Sequence, residues 1–249
     1  MSLDAPQKVT AAVLVIGDEI LSGRTKDRNI GTIADHLTAI GIDLVEVRIV
    51  PDAEDCIVEA VNALRSRCTY VFTTGGIGPT HDDITADAIA KAFGVSIDVD
   101  ARAVAVMRPA YEQRGMHLTP ARLRMARIPN GATLIANTVS FAPGFQIGNV
   151  IVMAGVPGIM QAMLAEVTPR LATGQKMLSR SISLAHPEGE IAELFAAHQK
   201  AFPDVVMGSY PSFKDGRYTT ELVLRARDAA RLTHAADDLR KELFSRNLL

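Results

Sequence analysis

The chain has 249 residues, 48% of them hydrophobic and 22% charged, with a net charge of -2 at pH 7. At about 150 residues per domain this is one large domain, or a medium one plus a small one. The near-neutral balance gives no basic excess for bulk nucleic-acid binding, and no apolar run approaches the ~20 residues of a membrane-spanning helix. No signal peptide opens the chain, and two cysteines, Cys56 and Cys68, make no disulfide framework. The six histidines are scattered, which is poor support for a structural zinc site. The composition predicts a cytoplasmic α/β protein with neither nucleic acid nor membrane as a partner.

The run Ala11–Ile16 is continuously apolar and ends in Gly17, as suits a parallel strand buried on both faces. Asp27 caps a predicted helix carrying Ile30, Ile33, Ala34, Leu37 and Ile40, with Gly41 as its stop. Leu44–Val50 is β-branched and strand-like, and Asp52 reads as the cap of a helix with Ile57, Ala60, Val61 and Leu64 on one face. Tyr70–Thr74 is a third strand running into a glycine-rich loop, followed by a helix aligning Ile84, Ala88 and Ala92. Asp100 caps a further helix to about Arg114, and residues 119–127 read as a shorter basic helix. Pro129 to Gly148 is a glycine- and proline-bearing stretch leading into the strand Val150–Met153. Gly155-Val156-Pro157-Gly158 and a helix to about Leu171 follow. Alternating strands and helices predict a three-layer sandwich around a mostly parallel sheet over residues 1–172.

Ala172–Gln175 is the candidate boundary. Beyond it, over 173–249, the pattern predicts a strand at Leu178–Leu184, a helical stripe through Ile191, Leu194, Phe195, His198 and Phe202, and a strand from Val205. A hairpin at Lys214-Asp215-Gly216-Arg217, a strand through Leu222 and Leu224, and a last helix at 232–243 complete a small βαββα module of the α+β class. His198, on an apolar helix face, reads as a packed histidine.

Chemistry concentrates in Thr73-Thr74-Gly75-Gly76-Ile77-Gly78-Pro79-Thr80-His81-Asp82-Asp83, at the C-terminal end of a predicted strand, where open parallel sheets bind ligands. Glycines let the backbone approach an anion, and helix N-terminal N–H groups point at it. The bland alternative is a tight turn in which Asp82 or Asp83 merely caps the helix. No Gly-Lys-Ser/Thr follows, so this is not a Walker A loop, and His81 in the third glycine position excludes the dinucleotide fingerprint. Two carboxylates there would repel a bare phosphate. Either the anion lies further back on the loop, or a divalent cation such as Mg²⁺ bridges carboxylate and phosphate. A second acidic loop, Gly17-Asp18-Glu19-Ile20-Leu21-Ser22-Gly23, converges on the same edge. There Asp18 and Glu19 would hold metal or position water, and Ser22 and Asn29 would bind polar groups of a ligand; the alternative makes Asp18 a turn residue. Gly155–Gly158 is a third strand-end loop. Arg122, Arg124 and Arg127 form a basic cluster, read either as a solvated helix face or as a phosphate contact.

Gly17–Gly23 with Asn29, paired with Thr74–Thr85, resembles the MoaB/Mog molybdopterin-binding domain family, most of all its CinA-type branch and the related domain fused to eukaryotic FAD synthase. Asn137 with Ala142-Pro143-Gly144 is similar to a third motif of that branch and Val156-Pro157-Gly158 to a fourth, while Ser140-Phe141 stand where the branch has Gly-Thr. The segment Met207–Pro211 with its hairpin is similar to the small second domain of CinA proteins. No nicotinamide-nucleotide amidase domain follows, so that activity is expected to be absent.

The resemblance implies a phosphorylated small molecule as partner: molybdopterin, or a nucleotide diphosphate of the ADP-ribose or FAD class cleaved with a metal. Its motifs assign ligand contacts to Gly17, Ser22, Asn29, Thr74, Gly75, Gly76, Gly78, Pro79, Thr80, Thr85, Asn137, Pro143, Gly144, Pro157 and Gly158. Asp18, Glu19, Asp82 and Asp83 would be catalytic, with Asp18, Asp82 and Asp83 holding Mg²⁺ or a similar ion. Self-association is common in the family, so a homo-oligomer is expected, a dimer before other states.

Overall fold

The computed structural model describes residues 8–214 and 216–249; Asp215 of the expected hairpin loop lies outside them. The chain divides between Gly174 and Gln175 into two units. The first contains β1 (Thr10–Ile16), α1 (Asp18–Leu21), α2 (Asn29–Ala39), β2 (Asp43–Val50), α3 (Glu54–Arg65), β3 (Tyr70–Thr74), α4 (Thr85–Phe93), β4 (Ile97–Val99) and α5 (Ala101–Glu112). It continues with α6 (Pro120–Leu123), β5 (Arg127–Pro129), β6 (Thr133–Ile135), β7 (Gly144–Ile147), β8 (Val150–Met153) and α7 (Pro157–Val167). A six-stranded sheet has the order β2-β1-β3-β8-β7-β6. Its first four strands are parallel, and β7 runs antiparallel to both its neighbours. β4 and β5 form a separate antiparallel pair.

The continuous apolar runs are explained by burial on both sheet faces. Leu14 and Val152 pack with Val61, Leu64 and Ile89 on one side. Val13, Val15 and Ile151 pack with Ile33, Leu37, Met160 and Leu164 on the other. From Ala11 to Ile16 the side chains alternate into these two layers, so every one of these β1 positions is apolar. Asp27 Oδ1 accepts from Ile30 N at 2.8 Å and Asp100 Oδ1 from Arg102 N at 2.7 Å, fixing the starts of α2 and α5. Gly94, at φ 65°, closes α4 in the left-handed region.

Two stretches differ from the reading of the sequence. The basic helix at 119–127 is cut to α6 and a 3-10 turn at Arg124–Ala126, because Arg127–Pro129 leaves to pair with β4. The stretch at 129–148 contains β6 and β7, three and four residues long, too short to show a period of two.

The second unit contains β9 (Leu178–Leu184), α8 (Glu188–Ala201), β10 (Val206–Lys214), β11 (Arg217–Ala226) and α9 (Ala229–Ser245), the expected βαββα order. Its antiparallel sheet, β10-β11-β9, buries Ile182, Leu222 and Leu224 against Leu194 and Leu239. His198 is packed there, its Nε2 2.9 Å from the Ala235 carbonyl oxygen. Among the described residues no helix is long and apolar enough to cross a membrane.

Gly144 opens β7 with its Cα against the Val152 carbonyl, where an added Cβ would collide with that oxygen and approach Met163 Sδ to 3.1 Å. Packing therefore requires a glycine here whether or not a ligand touches it. Gly144→Ala should destabilise the protein by about 1–3 kcal/mol in urea unfolding; parent-like stability with weakened ligand binding would return Gly144 to the ligand.

Candidate functional site

Parallel order places the ends of β1, β3 and β8 side by side, so the loops that follow them share one sheet edge. The loop after β3 is pressed into this edge. Gly75 N donates to Met153 O at 3.2 Å, and a Cβ on Gly75, at φ 110°, would collide with Ile16 O. Gly76, at φ 65°, lies against Thr85: Thr85 N donates to Gly76 O at 3.0 Å and Thr85 Oγ1 to Gly75 O at 3.0 Å. Only glycine fits both positions.

Asn29, the first residue of α2, is buried beside this loop. Its Nδ2 donates to Thr74 Oγ1 at 2.8 Å and to Gly155 O at 2.7 Å, while Thr74 Oγ1 donates to Ala154 O at 2.9 Å. Asn29 Oδ1 has no protein partner although it is buried. An unmatched buried acceptor costs about 1–3 kcal/mol, which a donor from a ligand or water would recover.

Above these groups lies a cleft of about 510 Å³, lined by Gly75, Gly76, Gly78, Pro79, Asp83, Asn137, Ser140 and Pro157, with an apolar floor that includes Ile77, Met125 and Met163. A second cleft of about 490 Å³, lined by Arg24, Lys26, Arg28, Asn29 and Thr74, shares Glu19, Thr25, Gly75, Gly155 and Pro157 with the first. Together they form a groove with glycine backbone in the middle, a basic end and an acidic side. Asn137 shapes its far wall: Nδ2 donates to Ser140 Oγ at 2.6 Å and Ala142 O at 2.9 Å, and Oδ1 accepts from Val139 N at 2.9 Å. Phe141 in this turn adopts φ 68°, with the Arg114 guanidinium 4.6 Å above its ring.

The sequence of this groove has relatives. Residues 12–173 match the family described as probable molybdopterin binding domain. The chain belongs to this family. Residues 176–248 match the FAD synthase middle domain. A protein of Pyrobaculum arsenaticum is 36% identical over 210 residues, 81% of this chain and 79% of that one. A CinA-like protein of Citrifermentans bemidjiense is 35% identical over 244 residues, 93% of this chain but 58% of the relative, so this chain spans little more than half of that protein. A protein of Caldivirga maquilingensis, 39% identical over 165 residues, is covered over 64% of its length. The crystal structure of the protein CinA from Thermoplasma acidophilum superposes with a TM-score of 0.60 at 35% identity, over 66% of this chain and 98% of that one.

Within this molybdopterin-binding family domain the predicted residues separate into groups. Glu19, Asn29, Thr74, Gly75, Gly76, Gly78, Pro79, Asp83, Asn137 and Pro157 line the groove. Pro143 lines only a small recess beside Asp83, and Thr85 is buried beneath the loop. Gly17 lies under the Glu19 carboxylate, which a Cβ there would meet at 2.5 Å. Asp18, Ser22, Thr80, Asp82 and Gly158 are exposed and outside the groove lining. Asp82 and Asp83 do not start the helix: α4 begins at Thr85 after Ile84, with no side-chain cap. Instead Asp83 Oδ2 accepts from Thr80 N at 2.8 Å and Thr80 Oγ1 at 2.5 Å, which folds the loop back on itself before α4 begins. The arginines are neither a bare solvated face nor aimed at an anion. Arg124 Nε donates to Thr80 O at 3.1 Å and its Nη2 to Asp83 O at 3.3 Å, Arg127 pairs with Asp87, and Arg122 Nη1 donates to His117 O at 2.7 Å.

Asp52, which the sequence suggests as a helix cap, instead meets the acidic loop at Asp18. It does not cap α3, whose N-cap is Ala53; its Oδ2 accepts from Asp18 N at 2.9 Å. Burial, reinforced by the carboxylates of Asp18, Glu19 and Asp82, pushes its carboxyl above the usual range. Among the described residues no three His, Cys, Asp or Glu side chains form a ready-made metal cage.

A carboxyl raised in the fold favours its neutral form, so its contribution to stability is present below the ordinary aspartate pKa and lost as pH rises through the raised value. Asn at this position keeps an acceptor for Asp18 N without the charge. Asp52→Asn should therefore have a higher Tm than the parent at neutral pH, and the gap should close on acidification. A lower Tm at neutral pH would contradict the electrostatic account.

Proposed function

We propose that this protein hydrolyses the diphosphate of a nucleotide of the ADP-ribose or FAD class with the help of a divalent cation. The observation that carries the proposal is a glycine-lined groove bordered by the carboxylates of Glu19 and Asp83, beside which burial, together with the charges of Asp18, Glu19 and Asp82, raises Asp52, a charge imbalance that a cation relieves. Asp52 and Glu19, with Asp18 and Asp82 beside them, are the groups that would hold it. A donor set of few carboxylates without a closed cage suits Mg²⁺, which keeps waters and takes substrate phosphate oxygens as further ligands. Bound there, such an ion supplies charge neutralisation and a more acidic water. The chain supplies the rest. Gly75, Gly76 and Gly78 let phosphate approach the backbone, and Arg24, Lys26 and Arg28 at the other end of the groove offset its charge. Asn29 Oδ1 is positioned to accept a hydrogen bond from a hydroxyl or amide of the ligand, and the apolar floor suits a base or flavin.

A second reading, a molybdopterin-binding protein without catalysis, is favoured by the family match over 12–173. Incubation with FAD, ADP-ribose, NAD and molybdopterin in the presence of Mg²⁺, Mn²⁺ or Co²⁺ separates the two. Hydrolysis is expected for a nucleotide diphosphate, and Asp52→Asn, Glu19→Gln and Asp82→Asn should each lower turnover by about 100-fold or more while the fold survives. No cleavage of any compound, with tight pterin binding, would select the second reading.

A further inference from the structure

Sheet edges in this molecule are treated unequally. The edge strand β6 has three residues, and the edge strand β10 carries Pro211, which has no N–H to offer. β9 presents serines and Arg180. β2 is different: it is eight residues long, has no proline, and has β1 as its single ladder neighbour among the described residues. A long edge without proline pairs with another strand where that strand's charges and apolar side chains match its own.

Register shows which side chains such pairing would align. Val47 and Ile49 pair with Val13 and Val15, so they share the sheet face of α2 and α7; Glu46 and Arg48 pair with Ala12 and Leu14 and take the other face. Val45, 52% exposed, is the extra residue of a bulge, and Val47 and Ile49 are 40% and 38% exposed. Three β-branched side chains thus lie open along the edge.

The segment Leu44-Val45-Glu46-Val47-Arg48-Ile49-Val50 is also self-complementary about Val47. If two copies pair antiparallel with Val47 facing Val47, then Glu46 of each lies opposite Arg48 of the other, and Val45 opposite Ile49. Directly opposed residues in an antiparallel pair share a face, so the apolar row meets an apolar row and the charges alternate in sign. Within the chain Glu46 Oε1 already accepts from Arg48 Nη2 at 2.8 Å, which holds both groups over the same face.

We infer that the β2 edge docks a second copy of this chain by antiparallel pairing about Val47, giving a continuous twelve-stranded sheet. Other shifts by two residues would set Glu46 against an apolar residue or a like charge. The two-fold symmetry is the isologous kind usual for dimers. This inference is independent of the chemistry of the groove.

The test uses the full chain and light scattering through the micromolar range. The parent should be a dimer. Val47→Asp places like charges face to face at the axis and should raise the dimer dissociation constant roughly tenfold or more. Glu46→Arg alone and Arg48→Glu alone should each weaken the dimer, and mixing the two single variants should restore it as a heterodimer, because the introduced arginine of one then faces the introduced glutamate of the other, whereas mixing cannot remake the intrachain Glu46–Arg48 pair. Opposed Cα atoms in such a pair stand about 4.5–5.5 Å apart, within disulfide reach. Val47→Cys in a Cys56→Ser background should therefore cross-link to itself on mild oxidation, even if Val47→Asp fails to fold. A monomeric parent, single variants that dimerise as the parent does, no heterodimer on mixing them, or absence of the Val47→Cys cross-link would overturn the inference.

Discussion

One buried carboxamide decides whether the groove exists. Strands β3 and β8 are joined by a regular ladder up to Thr74 and Met153, but beyond these residues the two chains must separate into loops, leaving polar groups that no ladder satisfies. Asn29 arrives from a third segment and donates to both sides, to Thr74 Oγ1 and Gly155 O. It thereby fixes the start of α2, the end of β3 and the loop after β8 relative to one another. Each neutral hydrogen bond contributes only about 1 kcal/mol net, yet leaving either acceptor unmatched would cost more than its formation gives. The glycines at 75 and 76 follow from this constraint, because they must lie flat between Ile16 and Thr85 in the space that remains.

Around that point the groove combines three kinds of surface. The glycine backbone offers close approach without a side chain. Glu19 and Asp83 put carboxylates on the groove lining, and beside it burial, with the charges of Asp18, Glu19 and Asp82, pushes the Asp52 carboxyl above its usual range. The arginines that seemed available for an anion instead stiffen the walls: Arg124 grips the carbonyls of Thr80 and Asp83, so the loop's outward bend is held from behind. The wall shaped by Asn137 and the apolar floor complete the lining.

Legibility in the sequence followed the range of the interaction. β1, β3 and β8 were visible because burial on two faces demands an unbroken apolar run, and βα order alone placed their loops on one edge. The βαββα module was visible because its stripes repeat at helix and strand periods. β6 and β7 were not, since three or four residues leave no period to read. Asp52 reads locally as a helix cap; its partner, Asp18 N, is 34 residues earlier, and no local pattern signals that contact. Asp82 and Asp83 failed as helix caps for a related reason: the loop's own Thr80 captures Asp83 before the helix begins. A dense run of arginines likewise says nothing about which carbonyls will meet it.

Phe141 has a consequence of its own. A non-glycine residue held in the left-handed region costs on the order of 1 kcal/mol or more, and that energy is released when the turn opens. Here the aromatic ring under Arg114 and the four side-chain hydrogen bonds of Asn137 hold the turn shut against it. The 137–142 turn is accordingly spring-loaded, and its strain lowers the cost of opening it. Amide hydrogen exchange in this segment would then be governed by a local event well below global unfolding, and salt, by weakening the cation–π contact, would hasten it.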